Sequence, residues 1–378
     1  MTATKLRSYP VQLPAAACAL AAAIVLVLAF SHRGPEAGAP MGEGRTAPAA
    51  AVSPAASLQP TAPPRRLWMA AVGDIMLDRS VGKRIRQNGA QSILAQVRAQ
   101  LSAPGITFGN LECPLSSEGP HDPMELCFRA DPKTVAVLLD GGFDVVSVAN
   151  NHSLNAGRKG MQNTLATLSK HGIAYAGSHP DREQSWTPAY LNSGGVKVGF
   201  LACTDLSFEH GSDCKISRDP DLAYAKVRAA RSNCDLLFVS IHWGTEYQQH
   251  RDERQRKVAL RLIDAGADCI LGHHPHTLQG IGVYKGRPIL YSMGNFVFDQ
   301  REGERMESAI FEIWWKEGAW QIKATPVWIN RARMGPVYPS GERAAKIAAR
   351  LAKLSNELGA KAEVSSSRVI VRIPPKSP

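Results

Sequence analysis

The chain has 378 residues, of which 44% are hydrophobic and 20% charged, with a formal net charge of +11. This length suits one large domain with appendages or two modest domains, and the apolar share is enough for a packed core. The Lys and Arg residues are scattered singly, without interleaved aromatics, which argues against a nucleic-acid surface and for a generally basic soluble face.

Lys5 and Arg7 precede an apolar run from Leu13 to Phe30, interrupted by Pro14. As a helix rising ~1.5 Å per residue, such a run just covers a bilayer core of ~30 Å. The basic flank predicts a signal anchor over residues 1–30, single-pass in the cell membrane, with the folded part outside the cytoplasm. A cleaved signal peptide is the competing reading, because Ala37-Gly38-Ala39 has the small-x-small form. Residues 31–64 are rich in Ala and Pro and bury too little apolar surface to offset ordering, so they read as a tether.

The folded part is expected from residue 65, with a main domain over 65–335 and a helix and strand over 336–378 packed on it. Leu67–Val72 reads as a strand ending at Gly73-Asp74. One helix is predicted over Arg79–Leu101, and Thr107–Leu111 is a strand that leads to Glu112. A loop follows to Arg129, then a helix over Pro132–Asp140 stopped by Gly141-Gly142. The apolar run Asp144–Ala149 predicts a strand ending in Asn150-Asn151-His152. A helix over Lys159–His171 and a short strand, Ile173–Ala176, come next. Ala189–Leu191 and Val196–Cys203 form a predicted hairpin around Ser193-Gly194-Gly195. A loop carrying Asp205, Glu209, His210 and Asp213 leads to a helix over Pro220–Arg231. The strand Leu236–Ile241 ends at His242, and a charged helix covers Arg251–Ala265. Cys269–Leu271 is a short buried strand, followed by Gly272 and then His273, His274 and His276. A further apolar run, Pro288–Tyr291, ends in the polar turn Ser292–Asn295. Ala309–Trp315 and Trp320–Val327 predict an antiparallel pair. Glu342–Leu358 is a helix, and Arg368–Ile373 a last strand.

Seven cysteines are present, and Cys18 lies in the apolar run. Cys113 with Cys127, and Cys203 with Cys214, flank local loops and are plausible bridges in an exported chain. Cys234 and Cys269 lie beside apolar strands and read as buried thiols. No CxxC spacing is present, which excludes a zinc ribbon reading.

Buried-type strands alternating with helices predict an α/β fold with a mainly parallel sheet. Polar groups then collect just beyond strand C-termini, at Asp74, Glu112, Asn151, His242, His274 and His276, and that edge is where open α/β sheets bind ligands. Imidazole, carboxylate and amide oxygen together suit one or two divalent ions of the Mn, Zn or Fe kind. Asp74 and Glu112 are the two carboxylates of the set, so either is a candidate bridge between ions. His152, one residue beyond Asn151, is left to donate a proton to a leaving group, with water as nucleophile. This chemistry is that of a hydrolase, and phosphoester or amide cleavage both fit it.

The blocks VGDIML (72–77), NLECPLS (110–116), ANNHSLNAG (149–157), HWGTEY (242–247), GHHPH (272–276) and YSMGNFVFD (291–299) resemble the CapA family of bacterial capsule and poly-γ-glutamate synthesis proteins. That family is related to calcineurin-like metallophosphoesterases, so the resemblance implies a four-layer αββα metallophosphoesterase-like sandwich with a dimetal site. It implies metal ligands at Asp74, Glu112, Asn151, His242, His274 and His276, with Glu112 in the bridging place and His273 outside the HxH pair. It places substrate contacts at Asn150, Glu246, Tyr247 and Asn295. Two departures stand out. Ordinary phosphoesterases carry Asp-x-His at the first block, where this chain has Met76. Family members often carry Asp three residues after the Asn-His histidine, where this chain has Asn155. The resulting expectation is a membrane-tethered protein acting in synthesis, export or release of an anionic polymer. Its partners are then the polymer or its membrane synthase complex, and the cytoplasmic membrane. An exported phosphoesterase for small phosphoesters or nucleotides, and a non-catalytic assembly factor, are the alternatives.

Overall fold

The computed structural model describes residues 65–122, 126–208, 211–300 and 302–375. The expected anchor and tether lie outside these residues, as do Glu209 and His210. Among the described residues no helix is long and apolar enough to cross a membrane.

Strand β1 (Arg66–Ile75) runs beyond its expected end, so Gly73 and Asp74 are inside it. The single helix expected over 79–101 is divided into α1 (Arg79–Asn88), α2 (Gln91–Leu94) and α3 (Arg98–Ser102). Gly89 explains the first break: its φ of +80° cannot continue a right-handed helix, and glycine adopts it without a Cβ clash. Strands β2 (Ile106–Leu111), β3 (Val145–Ser147) and β4 (Ala174–Ala176) pair in parallel from β1 outward. Helices α4 (Val135–Asp140) and α5 (Gly157–Lys170) make the crossovers before β3 and β4.

The predicted hairpin is present as antiparallel β5 (Ala189–Ser193) and β6 (Val196–Thr204) and opens the second sheet. Helix α6 (Pro220–Arg231) starts at the Asp219 cap, whose side chain accepts from Leu222 N. It leads to β7 (Leu236–His242), and α7 (Glu253–Asp264) leads to β8 (Cys269–His273). A strand not foreseen, β9 (Ile281–Tyr284), pairs antiparallel with β10 (Arg287–Leu290). The second sheet has the order β5-β6-β7-β8-β10-β9.

The chain then returns to the first sheet. Strand β11 (Asn295–Val297) lies parallel to β1, with Asn295 opposite Asp74. Strands β12 (Glu307–Lys316) and β13 (Ala319–Asn330) form the expected antiparallel pair. After β14 (Gly335–Val337) and α8 (Gly341–Glu357), β15 (Glu363–Ser365) and β16 (Arg368–Ile373) complete the order β15-β16-β13-β12-β1-β2-β3-β4. The C-terminal segment is therefore part of the sheet, with β16 hydrogen-bonded to β13.

The period of two along β1 builds the layers. Met69 and Ala71 face a core between the sheets, where Phe108, Phe200 and Phe238 stack in series at 5.8 and 5.5 Å between centroids. Ala70 and Val72 face the other way, under Val81, Leu94, Leu138 and Met161 of α1, α2, α4 and α5. Helices α6 and α7 pack on β6, β7 and β8. The result is a four-layer αββα sandwich, as expected. Each fully buried Phe contributes about 1.5–3 kcal/mol, so the stacked series is a main support for the joint between sheets.

The expected disulfides are absent: the six described cysteines are free. Each thiol of the two candidate pairs has a separate partner. Cys113 Sγ accepts from Leu77 N at 3.2 Å, and Cys127 Sγ lies 3.3 Å from Asn155 O. Cys203 Sγ lies 3.8 Å from Ser240 O, and Cys214 Sγ lies 2.9 Å from Ser212 Oγ. Cys269 is buried as expected, whereas Cys234 is only partly so.

Candidate metal centre

The two sheets bring their strand C-termini together. Asp74 comes from β1, Glu112 from the residue after β2, and Asn150, Asn151 and His152 from the turn after β3. His242 closes β7, and His273 closes β8. His274 and His276 follow in a turn in which both have positive φ, +95° and +56°. For non-glycine residues these conformations cost of order 1–3 kcal/mol each. They hold both imidazoles at the cleft, where Asp74 Oδ2 accepts from His274 N at 3.4 Å. Two glycines permit the close approach. A Cβ on Gly73 would overlap the carbonyl oxygen of Gly294, and one on Gly272 would overlap that of Tyr291.

Five of the six expected ligands, Asp74, Glu112, His242, His274 and His276, fall in two groups of metal-ligand spacing, and all six, including Asn151 on the turn after β3, are buried. Glu112 Oε1 lies between two histidines, 3.9 Å from His242 Nε2 and 3.7 Å from His276 Nε2. His276 Nδ1 is 2.8 Å from Asn295 Oδ1, a contact that leaves Nε2 as the free lone pair. Asp74, Glu112 and His242 form one group whose ligand atoms lie within 4.8 Å of one another; Glu246, His274 and His276 form another.

Several groups hold these ligands in place. Asn110 was not foreseen as a site residue. Its Nδ2 donates to Asp74 Oδ1 at 2.9 Å and Glu112 Oε2 at 3.3 Å, and its Oδ1 accepts from Asn150 Nδ2 at 3.2 Å. The signal was available, since Asn110 and Glu112 are two apart on a strand and its extension and share a face. His273 Nδ1 sits 3.0 Å from Asp74 Oδ1, so it orients that carboxylate from behind.

The four expected substrate contacts divide into two kinds. Asn150 and Asn295 are fully buried with both amide ends engaged. Asn150 Nδ2 also donates to Leu111 O, and its Oδ1 accepts from His152 N. Asn295 Nδ2 donates to Arg305 O and His276 O. In this geometry both amides position their neighbours: Asn150 holds the turn that carries His152, and Asn295 holds the His276 ring. Glu246 and Tyr247, by contrast, are exposed at the rim, with the Arg305 guanidinium 4.9 Å above the Tyr247 ring. His152 stacks on Phe128 at 4.1 Å, and its Nδ1 is 2.8 Å from Asn155 Oδ1.

The charges are poorly balanced among these side chains alone. Burial pushes the Glu112 carboxyl well above the carboxylate range, and the charges of Asp74 and Glu246 push it further. Asp74 is also buried, but hydrogen bonds from His273 and His276 outweigh burial and hold it well below its ordinary value. Burial, then the charge of His276, lowers His274 to about 3. Burial and the charge of His274 push His242 down as well. For His276 the bond and charge of Asp74 outweigh burial and raise it. Burial lowers His152 to about 4, with the Asn155 contact acting against it.

Five buried polar atoms here have no hydrogen-bond partner: Glu112 Oε1, Asn151 Oδ1, His242 Nε2, His273 Nε2 and His274 Nδ1. Leaving one such atom unpaired costs about 1–3 kcal/mol. Four of them belong to expected ligands, each an oxygen or imidazole nitrogen able to coordinate. A divalent cation fits this donor set, since it satisfies the lone pairs and offsets the buried carboxylates together.

Residues 68–300 match the family described as bacterial capsule synthesis protein PGA_cap. The chain is 34% identical over 294 residues to the PGA biosynthesis protein CapA of Bacillus subtilis, covering 75% of this chain and 77% of that one. It is 32% identical to the capsule biosynthesis protein CapA of Bacillus anthracis, covering 72% and 70%. Among solved structures, a 5'-nucleotidase from Candida albicans is similar over 72% of this chain and 55% of that chain, with 11% identity and a TM-score of 0.42.

Proposed function

This chain belongs to the bacterial capsule synthesis protein PGA_cap family, and on that premise we propose that it serves the synthesis, export or release of an anionic capsule polymer such as poly-γ-glutamate, as a metal-dependent hydrolase. The observation that carries the hydrolase reading is that Glu112 Oε1, His242 Nε2 and His274 Nδ1 are buried and unpartnered on side chains that belong to two neighbouring groups of metal-ligand spacing. The names borne by the relatives support the polymer. The apolar run Leu13–Phe30 behind Lys5 and Arg7 supports a membrane-tethered chain with its folded part outside the cytoplasm. The net charge of +11 suits an anionic partner.

Asp74, Glu112, Asn151, His242, His274 and His276 would hold one or two ions of the Mn, Zn or Fe kind. Bound divalent ions supply Lewis acidity toward a phosphoryl or acyl oxygen and lower the pKa of water. Asn110 and His273 fix the Asp74 carboxylate, and Asn110 also turns Glu112 so that Oε1 faces the cleft. Asn295 fixes the ring of His276. The proton is moved at His152, whose ring is held at both nitrogens, Nδ1 2.8 Å from Asn155 Oδ1 and Nε2 3.1 Å from Asn151 Nδ2. An anionic substrate seated beside that ring raises its proton affinity, so substrate arrival charges the general acid.

The test is incubation of metal-loaded protein with poly-γ-glutamate of defined length and, separately, with an aryl phosphate. Shortening of the polymer, lost about 10²–10⁴-fold in His152→Ala with metal content unchanged, is the expected result. Turnover of the phosphate alone would replace the polymer reading with a phosphoesterase. Turnover of neither would leave the assembly role.

A further inference from the structure

We propose that Glu246 is a metal ligand, completing with His274 and His276 a second cation position beside the one formed by Asp74, Glu112 and His242. The inference rests on the metal-site reading above and concerns how many ions the chain holds and what holds the second.

The first observation is that β1 and its extension supply one candidate ligand, Asp74, and that the next side chain on the same face is Met76. It is fully buried, and its sulfur accepts from Asp78 N at 3.1 Å, so it is turned to its own backbone. The second is a carboxylate held beside the histidine turn. The loop 243–247 is fastened to the histidine turn at both ends: Trp243 N donates to His273 O at 3.1 Å, and Tyr247 N donates to Pro275 O at 2.7 Å. Trp243 is fully buried, with Nε1 donating to Tyr291 O at 2.8 Å. Thr277 Oγ1 and Gln279 Nε2 both donate to Gln248 O, at 3.2 and 2.9 Å. Glu246 thus rides on a loop pinned to the segment that carries His274 and His276. A ligand atom from each of the three lies within 4.8 Å of the others.

The third observation is His274 Nδ1 itself. It is buried and unpartnered, on a side chain 3% exposed, and its ring is 4.9 Å from that of His242 and 5.9 Å from that of His276. A free lone pair among imidazoles calls for a hydrogen or a cation, and Glu246 supplies the anion that makes a cation favourable. The electrostatics of the rim agree. A bare carboxylate at the mouth of a cleft repels an anionic substrate, whereas the same carboxylate on a cation does not. Glu112 Oε1, within 4 Å of both His242 and His276, sits between the two groups and suits a bridge.

The experiment is Mn(II) titration of the chelator-stripped full chain, with free ion counted by its paramagnetic resonance. Wild type, Glu246→Gln and Glu112→Gln are compared, with circular dichroism as the check on folding. Wild type is expected to take up two equivalents. Glu246→Gln, a change at an exposed position, is expected to stay folded and saturate at one, the lost site weakened more than ~10-fold. Glu112→Gln is expected to weaken both. Two equivalents in Glu246→Gln with affinities within about twofold of wild type would overturn the assignment of Glu246 and leave the metal site standing. A single equivalent in wild type, unchanged in Glu246→Gln, would also overturn it. A folded wild type that binds no ion would overturn the metal reading and this inference together.

Discussion

Glu112 concentrates the physics of the site in one side chain. Its carboxyl is buried beside two other acids and is held well above the ordinary value of 4.5. In the metal-stripped protein the folded state therefore keeps this proton while the unfolded chain loses it. Stability then falls as pH rises above 4.5, because the unfolded state binds fewer protons through that window. Asp74 works in the opposite sense, gaining stability as pH rises through 3.8, but that gain is complete before the Glu112 window opens. Glu112→Gln keeps the shape and removes the titration. The expected outcome, read by chemical denaturation of the stripped proteins between pH 5 and pH 8, is that the variant loses less stability than wild type across that range. Added divalent metal should then raise the melting temperature of wild type and leave the variant nearly unmoved. Most single side chains of this site were legible in the sequence because a carboxylate or imidazole after an apolar run is conspicuous. Asn110 was not, since it lies inside a strand and works by donating hydrogens to the conspicuous residues. Asn150 and Asn295 were visible as polar positions, but only the fold shows that their amides are turned inward.

Among the elements, β1 and the turn before β11 act as one part. Asp74 N donates to Gly294 O at 2.9 Å, and the strand continues to Ile75 beside β11. This contact fixes Asp74 opposite Asn295, and Asn295 in turn fixes His276. Gly73 permits it by lacking a Cβ. Gly73→Ala should therefore cost about 3 kcal/mol in denaturant unfolding, as strained core substitutions do, and should also loosen metal binding at Asp74. Denaturation curves within 0.5 kcal/mol of wild type would show that the strands separate without cost. Helices and interior strands were legible from apolar period and stop residues, and α6 and β16 fall on their expected bounds. The break of the first helix at Gly89 was not, because an isolated glycine is tolerated in many helices and only its positive φ reveals the turn. Strands β9, β14 and β15 are three or four residues long and become strands only by pairing with neighbours, which no local pattern announces.

At the scale of the whole molecule, four layers place five separated segments of chain around one cleft, and burial does the rest. The alternation of buried strands and helices made the layered α/β architecture legible. The register that sets Glu112 between two histidines was not, because it depends on how two sheets face each other. The cysteines mislead for a related reason: closeness along a loop suggested bridges, whereas the thiols of Cys113 and Cys203 are buried against different neighbours. The central claim is that the sandwich is built around divalent metal. Elemental analysis of the purified full chain, repeated after dialysis with Mn, Zn and Fe in turn, tests it most directly. The account predicts at least one tightly held transition-metal ion per folded chain. A chain that is folded, metal-free and still takes up none of the three when offered would contradict it.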